Sequence, residues 1–193
     1  SNSQEGAQTP GLYMEENGVT LVANSAAKPG DELVFEGITY LVVDNQMLRD
    51  IVTDDREDIS LLVTTYVTDL SNIFENKQTI TPNIAAWDTS NVTDMSCLFS
   101  GASVYNGVLS YWNTAKVTNM SYAFANALEY NQDLGDWNTS QVTQMDAMFS
   151  NATAFNQNLS GWCVSLIDKA PTNFSTGSSI SQISLPLWGT CPD

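Results

Sequence analysis

The sequence contains no histidine, and only six lysine and arginine residues stand against 22 aspartates and glutamates, a formal net charge of −16 over 193 residues. Without an imidazole there is no Ser-His-Asp or Cys-His catalysis and no histidine-ligated zinc or haem. The shortage of bases argues against nucleic acid and anionic membrane surfaces as partners, because both repel a chain of this charge. Cysteine is scarce as well. Cys97, Cys163 and Cys191 are too few for a disulfide-dense miniprotein and wrongly spaced for a zinc knuckle, so one pair and one leftover is the simplest reading. No apolar run approaches the roughly 18 residues of a membrane span, and no basic, apolar leader opens the chain. Direct membrane insertion is not expected, and an exported protein would already have lost its signal. Binding, scaffolding, calcium coordination by carboxylates and hydrolysis by paired acids remain open.

What the chain does have is a repeat. Trp87, Trp112, Trp137 and Trp162 recur every 25 residues, and the same register aligns Val67, Val92, Val117, Val142 and Ile167. It also aligns Phe74, Phe99, Phe124, Phe149 and Phe174, then Ile84, Leu109, Leu134 and Leu159, and the polar column Asn106, Asn131 and Asn156. Self-similarity at a fixed period of this length is the signature of stacked units that bury a shared core. Within a unit, Met95, Leu98, Phe99 and Ala102 fall at i, i+3, i+4 and i+7, which predicts a short helix. The β-branched Val92-Thr93 before it predicts a short strand, with the following polar residue as cap. Each coil is expected to run from strand to helix and return through an extended segment carrying the Leu and Trp columns. Parallel strands would stack the tryptophans as a spine.

Both ends of the array need covers. At the N-terminal side, Val19–Val22, Leu33–Phe35 and Ile38–Val43 are strand-like, and Glu36-Gly37 suggests a hairpin turn. Met47, Leu48, Ile51 and Val52 predict a short helix capped by Asp44, and Ile59 to Thr65 the first strand of the array. At the other end Pro171, Pro186 and Pro192 break the period, and a Cys163–Cys191 disulfide would tie the closing segment with Trp188 back onto the last coil, adding about 3 kcal/mol by loop length. Cys97 is then the free thiol. The expected division is a flexible tail over 1–11, an N-terminal cap over 12–66, the 25-residue repeats over 67–162 and a C-terminal cap over 163–193.

Val92-Thr-Asp-Met-Ser-Cys-Leu-Phe99, with Asn131-Gln-Asp-Leu-Gly-Asp-Trp137 later in the period, resembles the repeat of the BspA-like surface proteins. Gly37–Asn45 looks like that family's opening segment, and Trp162-Cys-Val, Asn173-Phe-Ser-Thr-Gly and Leu187–Pro192 like its closing cap, so the resemblance covers about residues 12–193. Two positions depart from it: Asn76-Lys77-Gln78 in the first unit and Gly107 where later units have Gln132 and Gln157. The resemblance implies an α/β, leucine-rich-repeat-like right-handed solenoid with one short parallel strand and one short helix per coil. It also implies export to the bacterial cell surface or beyond, adhesion or recognition rather than catalysis, and a place as a module of a larger surface assembly.

Recognition by such an array would fall on the strand face, where outward residues change between coils while the core columns do not. The candidate binding residues are Asn91, Lys116 and Gln141 at one position and Asp94, Asn119 and Gln144 at another. The expected partner is an extracellular protein or a glycan. The alternatives are a carbohydrate-binding module or carbohydrate-active enzyme working through Asp and Glu, or a purely structural spacer. No cofactor is expected; the weak calcium candidates are Asp54, Asp55, Glu57 and Asp58, which lack the ligand order and glycine of a calcium loop. The threonine columns Thr68, Thr93, Thr118, Thr143 and Thr89, Thr114, Thr139 are read as strand and capping residues, and the Asn column as a satisfier of backbone groups in adjacent coils.

Overall fold

The two-residue turn Glu36-Gly37 has positive φ at both positions, 49° and 82°, the geometry whose twist matches that of the strands it joins. It closes a hairpin of β3 (Glu32–Phe35) and β4 (Ile38–Val42), in register from Phe35↔Ile38 to Glu32↔Leu41. Before it, β1 (Leu12–Met14) pairs antiparallel with β2 (Leu21–Ala23). After it comes α1 (Asn45–Asp54), whose N-cap Asp44 accepts from the Met47 N–H and whose Leu48, Ile51 and Val52 face the core. A short 3₁₀ turn, Ile59–Leu61, leads into β5 (Leu62–Val63), which lies parallel to β4. This computed structural model describes residues 8–55, 58–79 and 83–192.

From residue 64 onward the architecture departs from the sequence expectation. Among the described residues this part of the chain contains no further strand and no α-helix; its only regular element is the 3₁₀ turn Gln182–Ser184, beyond the repeats. The expected strands shrink to isolated parallel bridges, Asp69↔Asp94, Asp94↔Asn119 and Asn119↔Gln144. Each expected helix is a chain of overlapping turns. Leu98, Ser100 and Ala102 donate their N–H groups three residues back, to Met95, Cys97 and Phe99. The alternate N–H groups of Met95, Cys97, Phe99 and Gly101 donate instead to carbonyls of the following unit, those of Asn119, Ser121, Ala123 and Ala125, at 2.7–2.9 Å. Positive φ at Cys97 (54°) and Gly101 (70°), repeated at Tyr122, Asn126, Ala147 and Asn151, is incompatible with a right-handed helix. The α/β leucine-rich-repeat-like solenoid, with a strand and a helix per coil, is therefore not the fold of this chain.

The core nonetheless follows the periodic columns, because the turns put the same side chains inside. Val92, Met95, Leu98, Phe99 and Ala102 and their equivalents are buried in one cluster running from Val43 to Ile180. The continuous ring column is phenylalanine: Phe74, Phe99, Phe124 and Phe149 stack at centroid distances of 5.2–5.5 Å. Among the tryptophans a stacked contact joins Trp87 and Trp112. Their shared feature is polar: the indole N–H groups of Trp87, Trp112, Trp137 and Trp162 donate to the carbonyls of Ile59, Ile84, Leu109 and Leu134 at 2.9–3.0 Å. A second, smaller cluster of Leu21, Ala23, Ala27, Val42 and Val63 fills the space under β1–β2. At the far end the Cys163–Cys191 disulfide forms, and Trp188 meets Phe174 edge to face at 4.9 Å.

Candidate functional site

The candidate face is built on the Val-Thr-Xaa segment that opens each unit. Val92, Val117 and Val142 point inward and are fully buried. The next N–H, on Thr93, Thr118 and Thr143, donates to the carbonyl of the threonine one unit earlier at 2.8–2.9 Å, and the same hydroxyls reach those carbonyls at 3.2 Å. This ties the backbone of the face to a fixed spacing and leaves its flanking side chains outward.

The structure brings the six proposed residues together in two columns, and their chemistry divides. Asn91 Nδ2 donates to the Thr65 carbonyl at 2.9 Å, while its Oδ1 accepts from Lys116 Nζ at 2.7 Å. Asp94 Oδ1 accepts from the N–H and hydroxyl of Ser96 at 2.8 and 2.6 Å, and Asn119 Oδ1 accepts from the Ser121 N–H at 3.0 Å. The Asp94 and Asn119 side chains close turns, and Asn91 bridges units. Lys116, Gln141 and Gln144 are exposed, and Lys116 is the one base between Trp87 and Trp162. The other threonine column turns away from this face: Thr89, Thr114 and Thr139 are buried and donate to the carbonyls of Asn113, Asn138 and Cys163. The asparagine column is a ladder, with Asn106 Oδ1 accepting the Asn131 N–H and Asn131 Oδ1 the Asn156 N–H, both at 2.9 Å.

Among the described residues the calcium candidates Asp54, Asp55 and Asp58 form no group that could hold a metal ion. Asp54 ends α1, Asp55 is its left-handed C-cap, and Asp58 Oδ1 caps the 3₁₀ turn through Ser60; Glu57 lies outside the described residues. Among the described residues no group of three or more acidic, cysteine or histidine side chains could hold a metal ion. Cys97 is a half-buried free thiol, and its pKa is raised by burial and by the neighbouring charges of Glu75 and Asp94, so it is a poor nucleophile.

One position escaped the sequence reading. Asp88 sits where later units have Asn113 and Asn138, and it is buried with its Oδ2 lacking any hydrogen-bond partner. Beside it, between the β1–β2 turn and the first tryptophan units, lies a pocket of about 140 Å³. The only signal in the sequence was an acid where the next two units carry Asn113 and Asn138.

The fold and face define an acidic protein of turn-built, 25-residue units with one disulfide, in which no described helix is long and apolar enough to cross a membrane. Residues 52–188 match the family described as Mycoplasma protein of unknown function, DUF285. That match spans well over half of the chain, and the chain belongs to this bacterial family. No curated protein and no solved structure matches it.

Proposed function

We propose that this chain is a non-enzymatic recognition domain, acting at the bacterial surface or outside the cell as a relative of the BspA-like proteins and binding an extracellular protein or glycan. The observation that carries the reading is the face of Lys116, Gln141 and Gln144 over an invariant backbone ladder. The ladder holds the spacing, and the side chains beside it differ from unit to unit, which is how repeat arrays present a surface to a partner. The disulfide supports an oxidising compartment. Immobilised collagen, laminin and fibronectin, together with a glycan array, serve as probes. At least one saturable ligand is expected, and the triple variant Lys116→Ala, Gln141→Ala, Gln144→Ala should weaken it at least tenfold without shifting the melting temperature. Unchanged affinity would sink the assignment of the face, and sugar release abolished by a single Asp or Glu substitution would overturn the non-enzymatic reading.

A further inference from the structure

The Asx turn that follows Trp87, Trp112 and Trp137 needs one side-chain oxygen. Asp88 Oδ1 accepts the Ser90 N–H at 3.0 Å, as Asn113 Oδ1 accepts from Ala115 and Asn138 Oδ1 from Ser140, both at 3.1 Å. The second oxygen of Asp88 is thus more than the fold requires. Its surroundings are also unfavourable to a carboxylate that serves the turn alone, since Asp88 is only 4% exposed and Oδ2 has no partner. Burying an uncompensated carboxylate is costly, and a positive ligand removes that cost.

The neighbouring pocket supplies the surroundings for one. Its walls include Glu15, Thr20, Asp88, Ser90, Tyr111 and Asn113, and among the described residues no lysine or arginine lines it. Asp88 and Glu15 therefore both line a space of about 140 Å³ to which the described residues bring no counter-charge. Tyr111 is 45% exposed, which offers an aromatic face to a cation and to the methylenes behind it. A bare metal ion fits less well, since calcium takes six to eight oxygens and no cluster of three acids is present among the described residues. We propose that this pocket receives the ammonium group of a lysine side chain from a protein partner, with Asp88 and Glu15 as its acceptors and Tyr111 as the wall for its methylenes. The strongly acidic charge of the whole chain, −16, favours approach of a basic segment.

The test is an NMR titration of the full chain with Nα-acetyl-lysine methylamide. Saturable shifts centred on Ser90, Asn113 and Tyr111 are expected, falling with added salt and absent with the neutral Nε-acetyl analogue. Asp88→Asn keeps the oxygen that the turn uses and removes the buried charge, so it should weaken binding at least tenfold with the melting temperature held or raised. Should that variant melt early, Glu15→Gln, on the exposed β1–β2 turn, reads the same loss without touching the core. The proposal is overturned by an equal response to the acetylated analogue, by undiminished binding in both variants, or by a response to calcium chloride or methyl glucoside in place of the lysine probe. The Lys116, Gln141 and Gln144 substitutions leave this pocket intact, so failure here and failure of the ladder face are read separately.

Discussion

Tyr105, Tyr130 and Phe155 occupy one column, stacked at centroid distances of 6.0 and 6.2 Å. Both tyrosine hydroxyls are buried without a hydrogen-bond partner, and burial drives their pKa values upward. The column needs a ring, not a hydroxyl, as Phe155 demonstrates. An unsatisfied buried hydroxyl costs about 1–3 kcal/mol, so Tyr130→Phe is expected to raise unfolding free energy by about 1 kcal/mol in urea melts. A loss of stability would mean that the hydroxyl is satisfied in solution. The tryptophans show the opposite case: their hydrophobic role was legible from the period, but the indole N–H bond to the previous unit was not, because spacing reveals which side chains are inward and not where their polar atoms end.

The elements that were legible are those with local chemistry of their own. Glu36-Gly37 set the β3–β4 register, and Asp44 with the Leu48, Ile51, Val52 stripe set α1, each from residues within one turn of the chain. The repeat helices failed for a physical reason. Apolar side chains at i, i+3, i+4 and i+7 also share a face in a run of overlapping turns, so periodicity alone does not separate that run from an α-helix. The distinguishing feature is the left-handed backbone at Asn126 (57°) and Asn151 (57°), where an earlier unit has Gly101, the two residue types that tolerate it best. The Asn/Gly pairing in that column is the sequence signal that separates the two. Asn126 is exposed, and its side chain accepts from Asn151 Nδ2 at 3.2 Å, a contact that any apolar replacement loses. Asn126→Gly is therefore expected to change stability by less than about 1 kcal/mol. Asn126→Val should be worse by a further margin of about 1–2 kcal/mol, since a β-branched residue bears the left-handed penalty in full. Equal melting of the two variants would show that this column does not require positive φ.

At the scale of the molecule the acids are unevenly spread, with 12 in residues 1–66 and 10 in the longer remainder, so the part that contributes Glu15, Asn17 and Thr20 to the Asp88 pocket is the more acidic per residue. Cohesion along the chain comes from contacts one period apart: the threonine N–H ladder, the phenylalanine stack and the indole bonds all join a unit to its neighbour and to nothing beyond it. That organisation makes a demanding expectation. Excising residues 117–141 joins Lys116 to Val142, which places Thr143 on Thr93, Phe149 on Phe99 and the Trp162 indole on the Leu109 carbonyl, each in the register its predecessor held. The shortened chain should keep a cooperative unfolding transition and its near-UV aromatic signal, with stability lowered because one interface of the stack is gone. Excising residues 117–129 instead brings Tyr130 to the place of Val117 and puts every later column out of register, so that N–H groups, rings and indoles all miss their partners. That chain should lose the cooperative transition. If the two deletions behaved alike, the 25-residue contacts would not be what holds the array together.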